Sequence, residues 1–296
     1  MAARGDDFKL RATVPANLSS MEANHVSTAH IPIAKPAARR PLKRSTAVEA
    51  AAEKIYLYAI IAGGQDRVYQ EFGIDRHRLY TISAGLIAAV VSDVPDDNVR
   101  PERARLAAHH EVLKRLMTES TPLPMSFGVV ADSPAAVRRM LVRNQQVLLD
   151  QLRQVASKVE MGLRVTWDVP NIFEYFVNTH PELRLARDRF FGSQSEPTQE
   201  QKIELGRMFD RLLQEDRETY TELAVNMFAS HGCEIKQLKC RNEREVMNLA
   251  GLVRRDAMPQ FEADVFEVAK QFDNNFALDY NGPWAPHNFV DVDLEL

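Results

Sequence analysis

Two adjacent histidines, His109 and His110, come closest in type and spacing to a catalytic or metal-binding pair. Both lie within four residues of Leu106 and Leu113, which belong to an apolar stripe with helical spacing. Neighbouring residues on a helix point in different directions, so a single metal ion cannot easily bind both side chains. The pattern therefore favours a structural role for this pair.

A second group that could bind a metal consists of His231, Cys233 and Cys240. Their spacing matches none of the usual zinc patterns, and a fourth ligand is missing. Gly63 and Gly64 are not followed by the Lys-Ser/Thr of a phosphate-binding loop. A Gly-x-Ser-x-Gly nucleophile motif does not occur. The residues therefore predict no catalytic residue, no metal site and no cofactor.

Composition narrows the possible partners. The chain has 296 residues, 45% of them hydrophobic, which is enough for two domains. Residues 1–45 contain eight Lys/Arg and three Asp/Glu, whereas the remainder contains 29 basic and 38 acidic residues. This acidic body argues against a nucleic-acid-binding surface. The two cysteines are compatible with a reducing cytoplasm, and no apolar run approaches the roughly 18 residues of a membrane span.

The two ends of the chain differ from its middle. Residues 1–52 are rich in Ala, Pro, Ser and Arg and lack a regular hydrophobic period, so we interpret them as a disordered basic arm. A tether to an acidic partner or to a membrane surface is the alternative, and an organelle transit peptide has a similar composition. Residues 291–296 form an acidic tail.

The stretch Thr121–Val130 predicts the central strand of an N-terminal sheet. Pro122 and Pro124 favour an extended backbone at its start. Bulky side chains then alternate on one face: Met125, Phe127 and Val129. Ser133 is a suitable N-cap for a helix that follows directly.

The other elements of the first half follow from hydrophobic periodicity. We predict strands at Tyr56–Ala62, Leu79–Ser83, Leu86–Val91 and Glu160–Asp168, and helices at Pro101–Thr118 and Ser133–Lys158. The alternation of the last strand is typical of a half-exposed strand near an edge. This βββαβαβ order predicts an α+β fold whose N-terminal domain, residues 53–168, is a ferredoxin-like sandwich with an added hairpin and helices on one face.

The second half, residues 169–290, predicts a smaller α+β domain. Pro170 opens a helix, and a capping box at Thr198–Gln201 begins a long amphipathic helix that ends near Ala229. Two strands follow at Cys233–Cys240 and Glu245–Val253, then a helix that begins at Asp256 or Pro259 and ends near Phe272, and a last strand at Phe276–Tyr280. The long helix is either a core helix with a solvated back or a docking face for another amphipathic helix.

Four stretches in this order resemble the GvpL/GvpF family of gas vesicle proteins: Tyr56–Ile60, Ala88–Val94, Pro122–Val129 and Gly282–Val290. The helix that carries His109 and His110 before the third stretch fits as well. The resemblance covers residues 54–290. The chain departs from the family pattern in its basic arm and at four positions, Ser126, Val129, Ala285 and His287, which leaves open whether it is F-like or L-like.

The resemblance implies a non-enzymatic accessory protein that binds the small hydrophobic shell protein of gas vesicles and assists vesicle nucleation and assembly. The shell protein and other accessory proteins would be its partners, and the gas vesicle and the cytoplasm its location. The implied fold is two α+β domains, with a ferredoxin-like N-terminal one. The alternative is a regulatory ligand-binding protein, because such sites lie in clefts that carry no motif.

Five residues are candidates for partner binding. Leu163, Val165 and Trp167 lie on the predicted edge strand, which could cover strand edges of the shell protein before it assembles; the 198–229 helix is the other candidate surface. Trp284 and Phe289 lie in the last family stretch. They either insert into the junction of the two domains as a C-terminal latch or are presented to a partner.

Overall fold

The computed structural model describes residues 10–12, 54–95, 98–192 and 196–291. These residues form an α+β fold with two sheets and seven α-helices. The strands are β1 (Leu10–Ala12), β2 (Lys54–Ala62), β3 (Val68–Phe72), β4 (Arg78–Ala84), β5 (Ile87–Val94), β6 (Leu123–Pro124), β7 (Val130–Ala131), β8 (Lys158–Trp167), β9 (Glu234–Gln237), β10 (Glu245–Arg254) and β11 (Phe276–Trp284). The helices are α1 (Arg103–Met117), α2 (Pro134–Arg143), α3 (Gln145–Val155), α4 (Ile172–Thr179), α5 (Pro181–Phe191), α6 (Gln199–Ser230) and α7 (Met258–Ala269).

The first sheet has the strand order β3-β4-β5-β2-β6, and β7 also pairs with β2. All of these pairs are antiparallel. The predicted strands β2, β4 and β5 are confirmed, whereas β3 was missed. The turn between β4 and β5 places Gly85 at a φ of 62°, where a Cβ would lie 2.1 Å from Nε2 of Gln145.

Helices cover both faces of this sheet. Tyr56 and Tyr58 of β2 lie in the same apolar cluster as α1, whereas Ile55 and Leu57 pack with α2 and α3. The expectation of helices on one face is therefore wrong, and the ferredoxin-like sandwich is not confirmed for the first sheet. The physical reason is that β2 and β5 are almost continuously apolar, and such strands need cover on both sides.

The stretch predicted as the central strand lies at the edge of the first sheet instead. It pairs with β2 only as the short strands β6 and β7, and Phe127 and Gly128 form a turn between them. Pro122 and Pro124 lack the backbone N–H that a central strand would have to donate, so an edge position suits them. Gly128 adopts a φ of 92°, which interrupts the strand.

The helix predicted at Ser133–Lys158 is divided into α2 and α3. Asn144, at the division, has φ and ψ of −105° and 12°, and its side-chain amide donates to the carbonyl of Met140. The predicted N-cap is confirmed, because Oγ of Ser133 accepts from the N–H of Ala136.

The second sheet has the order β1-β11-β8-β10-β9. Its pairs are antiparallel, except that β1 runs parallel to β11. Without β1, the order is that of a ferredoxin-like βαββαβ unit, here built from β8, α6, β9, β10, α7 and β11. The ferredoxin-like strand order therefore occurs in the second sheet, whereas it was predicted for the first half of the chain.

The predicted edge position of Glu160–Asp168 is wrong, because β8 pairs with β10 on one side and with β11 on the other. Its predicted alternation is confirmed. One face of β8 is buried with α4–α7, whereas Gly162, Arg164 and Thr166 on the opposite face are half-buried. A period of two fixes which face a side chain occupies and does not fix which strands pair beside it.

The long helix α6 spans 32 residues, and its capping box is confirmed. Oγ1 of Thr198 accepts from the N–H of Gln201 at 3.3 Å, and Oε1 of Gln201 accepts from the N–H of Thr198 at 2.9 Å. Leu205, Leu212 and Phe228 form its buried stripe. In the part of the chain that the structure describes, no helix is long and apolar enough to cross a membrane.

The chain ends are described only in part. Of the predicted basic arm, residues 10–12 form β1, which pairs with Leu278–Tyr280 of β11, so the disorder predicted for these three residues is wrong. The rest of the arm, and residues 292–296 of the acidic tail, lie outside the described residues.

Because the side chain of Leu163 on β8 lies in the protein interior, the substitution Leu163→Ala should strongly destabilise the fold. Leu163 is 1% exposed, so removing its side chain leaves a cavity and should lower the free energy of unfolding by about 2–5 kcal/mol. Leu185→Ala is the matched control, because Leu185 is 70% exposed. Urea unfolding of the two variants measures the difference. Equal losses of stability would contradict the buried position of β8.

Candidate functional site

The predicted partner-binding residues of β8 lie in the protein interior. Leu163, Val165 and Trp167 are at most 1% exposed. Their predicted role depended on an edge position that β8 does not have. Trp284 is 39% exposed and Phe289 is 5% exposed, so these two aromatic residues of the last family stretch have different surroundings.

Residues from the separate motif stretches converge around His109. The hydroxyl of Tyr56 shares a hydrogen bond of 2.9 Å with Nδ1 of His109 and accepts from the N–H of Gly128 at 3.1 Å. The ring of Phe127 lies 5.7 Å from the imidazole of His109. The turn that interrupts the predicted central strand therefore packs onto the histidine of α1.

Tyr58 connects this group to the rest of the first sheet. Its ring stacks on His109 at 5.5 Å. Its hydroxyl accepts from the N–H of Ile74 at 2.8 Å and lies 3.0 Å from Oγ of Ser92 on β5. We call the set Tyr56, Tyr58, His109 and Phe127 the Tyr–His junction.

Burial sets the charge state of the Tyr–His junction. Loss of solvent lowers the pKa of His109 to about 4, with a smaller contribution from the nearby His110 and His287. Burial likewise raises the pKa of Tyr56 to about 12. Both groups are therefore neutral near pH 7, and His109 is only 2% exposed. An uncharged, enclosed pair of this kind connects elements of the fold.

The second group that could bind a metal was His231, Cys233 and Cys240, and its histidine contacts a carboxylate instead. Nδ1 of His231 lies 3.0 Å from Oδ2 of Asp264, which connects the end of α6 to α7. Cys233 and Cys240 are free, half-buried thiols, and burial raises the pKa of both. Among the residues that the structure describes, no group of three His, Cys, Asp or Glu side chains could hold a metal ion.

The segment Ala285–Asp291, which we call the strap, follows β11 directly. Glu160 of β8 accepts two hydrogen bonds from Asn288, from the backbone N–H at 2.8 Å and from Nδ2 at 2.6 Å. Nζ of Lys236 on β9 donates to the carbonyl of Asn288 at 2.8 Å. Gln151 of α3 donates to the carbonyl of Asp291. The strap therefore connects a helix of the first sheet to two strands of the second.

The two aromatic residues of the last stretch differ in role. Phe289 packs in the apolar cluster that contains residues of α3 and β10, among them Leu148, Leu152, Ala250 and Leu252. It thus has the position expected of a latch. Nε1 of the exposed Trp284 donates to Oδ1 of Asn281 at 2.9 Å. The pairing of Glu160 with Asn288 was not predicted, because a carboxylate on an alternating strand was expected to face solvent.

A cleft of about 400 Å³ lies between α6 and the strands β9 and β10. Gln214, Glu218 and Glu222 line it from α6, and residues 237–240 and 246–249 line it from the sheet. Arg217 donates to the carbonyls of Asn242 and Glu245 beside it. Since β9 ends the second sheet, a strand edge and the solvated face of the long helix border the same cleft.

The lowered pKa of His109 predicts a loss of stability in acid. In the unfolded chain its pKa is near the ordinary value of 6.5, so the unfolded state binds the proton first. The contribution of neutral His109 to the free energy of unfolding is complete above pH 6.5. It declines between pH 6.5 and 4, by on the order of 3 kcal/mol. The measurement is the free energy of unfolding across this range for the unchanged chain and for His109→Gln, which lacks the titrating group. The same acid dependence in both would contradict a buried neutral His109.

The contacts of the strap predict that Phe289→Ala destabilises the fold more than Trp284→Ala does. Phe289→Ala removes a buried ring and should cost about 3–5 kcal/mol of unfolding free energy. Trp284→Ala, the matched control, should cost about 1 kcal/mol or less because its ring is partly exposed. Thermal unfolding of both variants tests this. A larger loss for Trp284→Ala would show that the latch contact is made by Trp284.

Several gas vesicle proteins F and L match most of the chain. Gas vesicle protein F of Streptomyces sp. (strain CB03234) is 29% identical over 70% of this chain and 85% of its own length. Gas vesicle protein F of Haloferax mediterranei is 24% identical over 82% of this chain and 95% of its own length. Gas vesicle protein L of the same Streptomyces strain is 26% identical over 70% of this chain and 81% of its own length.

Solved structures and a family model agree with these matches. The crystal structure of GvpF from Anabaena sp. PCC7120 superposes with a TM-score of 0.70 at 20% identity, covering 81% of this chain and 99% of that one. GvpF from Microcystis aeruginosa gives a TM-score of 0.68 at 19% identity, with the same coverage. The family model described as gas vesicle synthesis protein GvpL/GvpF matches residues 54–291. The chain therefore belongs to the GvpL/GvpF family of gas vesicle proteins.

Proposed function

We propose that this chain is a non-enzymatic accessory protein that binds the small hydrophobic shell protein and assists the nucleation and assembly of gas vesicles. Membership of the GvpL/GvpF family over residues 54–291 is the observation that carries the proposal. The protein would act in the cytoplasm and at the growing vesicle, together with the shell protein and other accessory proteins. A role without catalysis is supported by the enclosed position of Tyr56 and His109.

The cleft between α6 and β9 is the surface that best suits such a partner. A hydrophobic subunit that has not yet assembled exposes apolar surface and unpaired strand edges, which favour aggregation. An extended segment of it could add to β9 by backbone hydrogen bonds while its side chains contact α6. The sequence had offered either the Gly162–Trp167 strand or the long helix as the binding surface. Because that strand lies between two others, β9 takes its place here, beside the helix.

The outward-facing backbone of β9 can be identified from its pairing. The N–H of Leu238 donates to the carbonyl of Asn248, and Lys236 pairs with Ala250. Because donors alternate along an antiparallel strand, the N–H of Gln237 points away from β10. A segment added to β9 would use this donor.

Co-expression of this chain with the shell protein tests the proposal, with co-purification as the measurement. Gln237→Pro removes the outward N–H and keeps the bonds to β10, so the complex should become up to about tenfold weaker. Gln237→Val is the matched control, because it also removes the amide side chain but keeps the backbone donor.

The outcomes separate the parts of this proposal. No complex with the unchanged chain would contradict direct binding of the shell protein. Equal complex formation by Gln237→Pro and Gln237→Val would place the binding site away from the edge of β9.

A regulatory ligand-binding protein is the second candidate. The cleft of about 400 Å³ favours it, since this volume is in the range of small-molecule sites. A ligand that binds only the folded state raises the melting temperature. A metabolite that raises it in the unchanged chain, and fails to do so after Glu218→Leu in the cleft, would favour this function over assembly.

A further inference from the structure

The two ends of the second sheet differ in how their outer strands are protected. At one end, β9 is only four residues long and exposes the charged side chains of Glu234 and Lys236. Short length and charged side chains limit the unspecific pairing of an edge strand with strands of other molecules. This end of the sheet is therefore protected by the sequence of the edge strand itself.

At the other end, β11 lacks these features. It spans nine residues, and Asp279 is its one charged residue. Phe276 and Leu278 are 6% and 4% exposed, so apolar side chains belong to the core right up to this strand. A long and largely apolar edge strand pairs readily with strands of other molecules unless something covers it.

The backbone groups that β11 directs away from β8 can be identified from its pairing. The N–H of Asp168, the residue after β8, donates to the carbonyl of Asn275, the residue before β11. Bonded and non-bonded pairs alternate along an antiparallel ladder, so Leu278 and Tyr280 direct their N–H and carbonyl groups away from β8. These are the groups that a further strand would bind.

The short strand β1 lies at this position. It runs parallel to β11, and its central residue, Arg11, lies opposite Asp279. In this parallel register the N–H of Arg11 faces the carbonyl of Leu278, and the N–H of Tyr280 faces the carbonyl of Arg11. The N–H of Ala12 points away from β11. The backbone of Arg11 therefore covers the outward groups at the middle of β11.

The strand β1 lies outside the part of the chain that matches the family. The family model begins at residue 54, and Ala12 is separated from Lys54 by 41 residues. The structure of GvpF from Anabaena sp. is covered over 99% of its length by 81% of this chain. Formation of the shared fold therefore does not explain β1, and its contact with β11 points to a role of its own.

We propose that Leu10–Ala12 is a guard strand, which closes the edge of β11 against pairing with strands of other molecules. This goes beyond the proposed function, because it does not depend on the shell protein. A three-residue strand makes few hydrogen bonds, but a segment of the same chain is present at an effective concentration of roughly millimolar. The guard strand therefore competes well with strands of other molecules, and it leaves β9 as the edge at which a partner can add.

The experiment compares the full-length chain with Arg11→Pro and with the matched control Ala12→Pro. Arg11→Pro removes the N–H that faces β11, whereas Ala12→Pro removes an N–H that points away. Loss of this hydrogen bond should make hydrogen exchange at the amide of Tyr280 up to about tenfold faster in dilute Arg11→Pro. Sedimentation velocity at increasing protein concentration should then show association of Arg11→Pro beyond that of the unchanged chain. Ala12→Pro should match the unchanged chain in both measurements.

Hydrogen exchange also locates the new contact. If Arg11→Pro associates through β11, the amide of Tyr280 should regain its protection in the concentrated sample. Association without this regained protection would place the contact elsewhere and overturn the proposal. Equal behaviour of Arg11→Pro and Ala12→Pro, or faster exchange without any added association, would overturn it as well. An Arg11→Pro chain that fails to fold would show that β1 belongs to the fold itself, which contradicts a guard strand.

Discussion

The position of β8 between β10 and β11 is the constraint on which the rest of the structure depends. Both edges of this strand pair with residues that follow their partners by 79 positions or more in the chain, the smallest separation being that of Thr166 and Glu245. Its backbone groups are therefore satisfied only when the C-terminal half has folded. The face that carries Leu163 and Val165 must then be covered, and α4–α7 cover it. The long helix α6 thereby comes to lie beside β9 and forms one wall of the cleft.

The Tyr–His junction has the corresponding role in the first sheet. Polar groups buried among apolar ones are unfavourable unless they are paired, and here the hydroxyl of Tyr56 pairs with both His109 and Gly128. These bonds fix the turn at Phe127 against α1. Three of the four family stretches therefore meet, because Tyr56 and Tyr58, Ser92, and Gly128 belong to one buried hydrogen-bonded group.

The strap connects the two sheets. It contacts α3, which packs on the first sheet, and through Glu160 and Lys236 it contacts strands β8 and β9 of the second sheet. Lys236 lies on the strand whose outer edge borders the cleft. The strap therefore contacts the same strand, β9, to which a segment of the shell protein is proposed to add.

The sequence by itself determined the local features. The apolar run of β2, the hairpin of β4 and β5, the capping box at Thr198 and the alternating faces of β8 follow from propensity and period, which depend on neighbouring residues. Only the tertiary structure decided that Thr121–Val130 lies at an edge and β8 at a centre, that the ferredoxin-like order belongs to the second sheet, and that Glu160 is buried under Asn288. These depend on pairing between distant segments, and a local period specifies which way a side chain points but not which strand or strap lies opposite it.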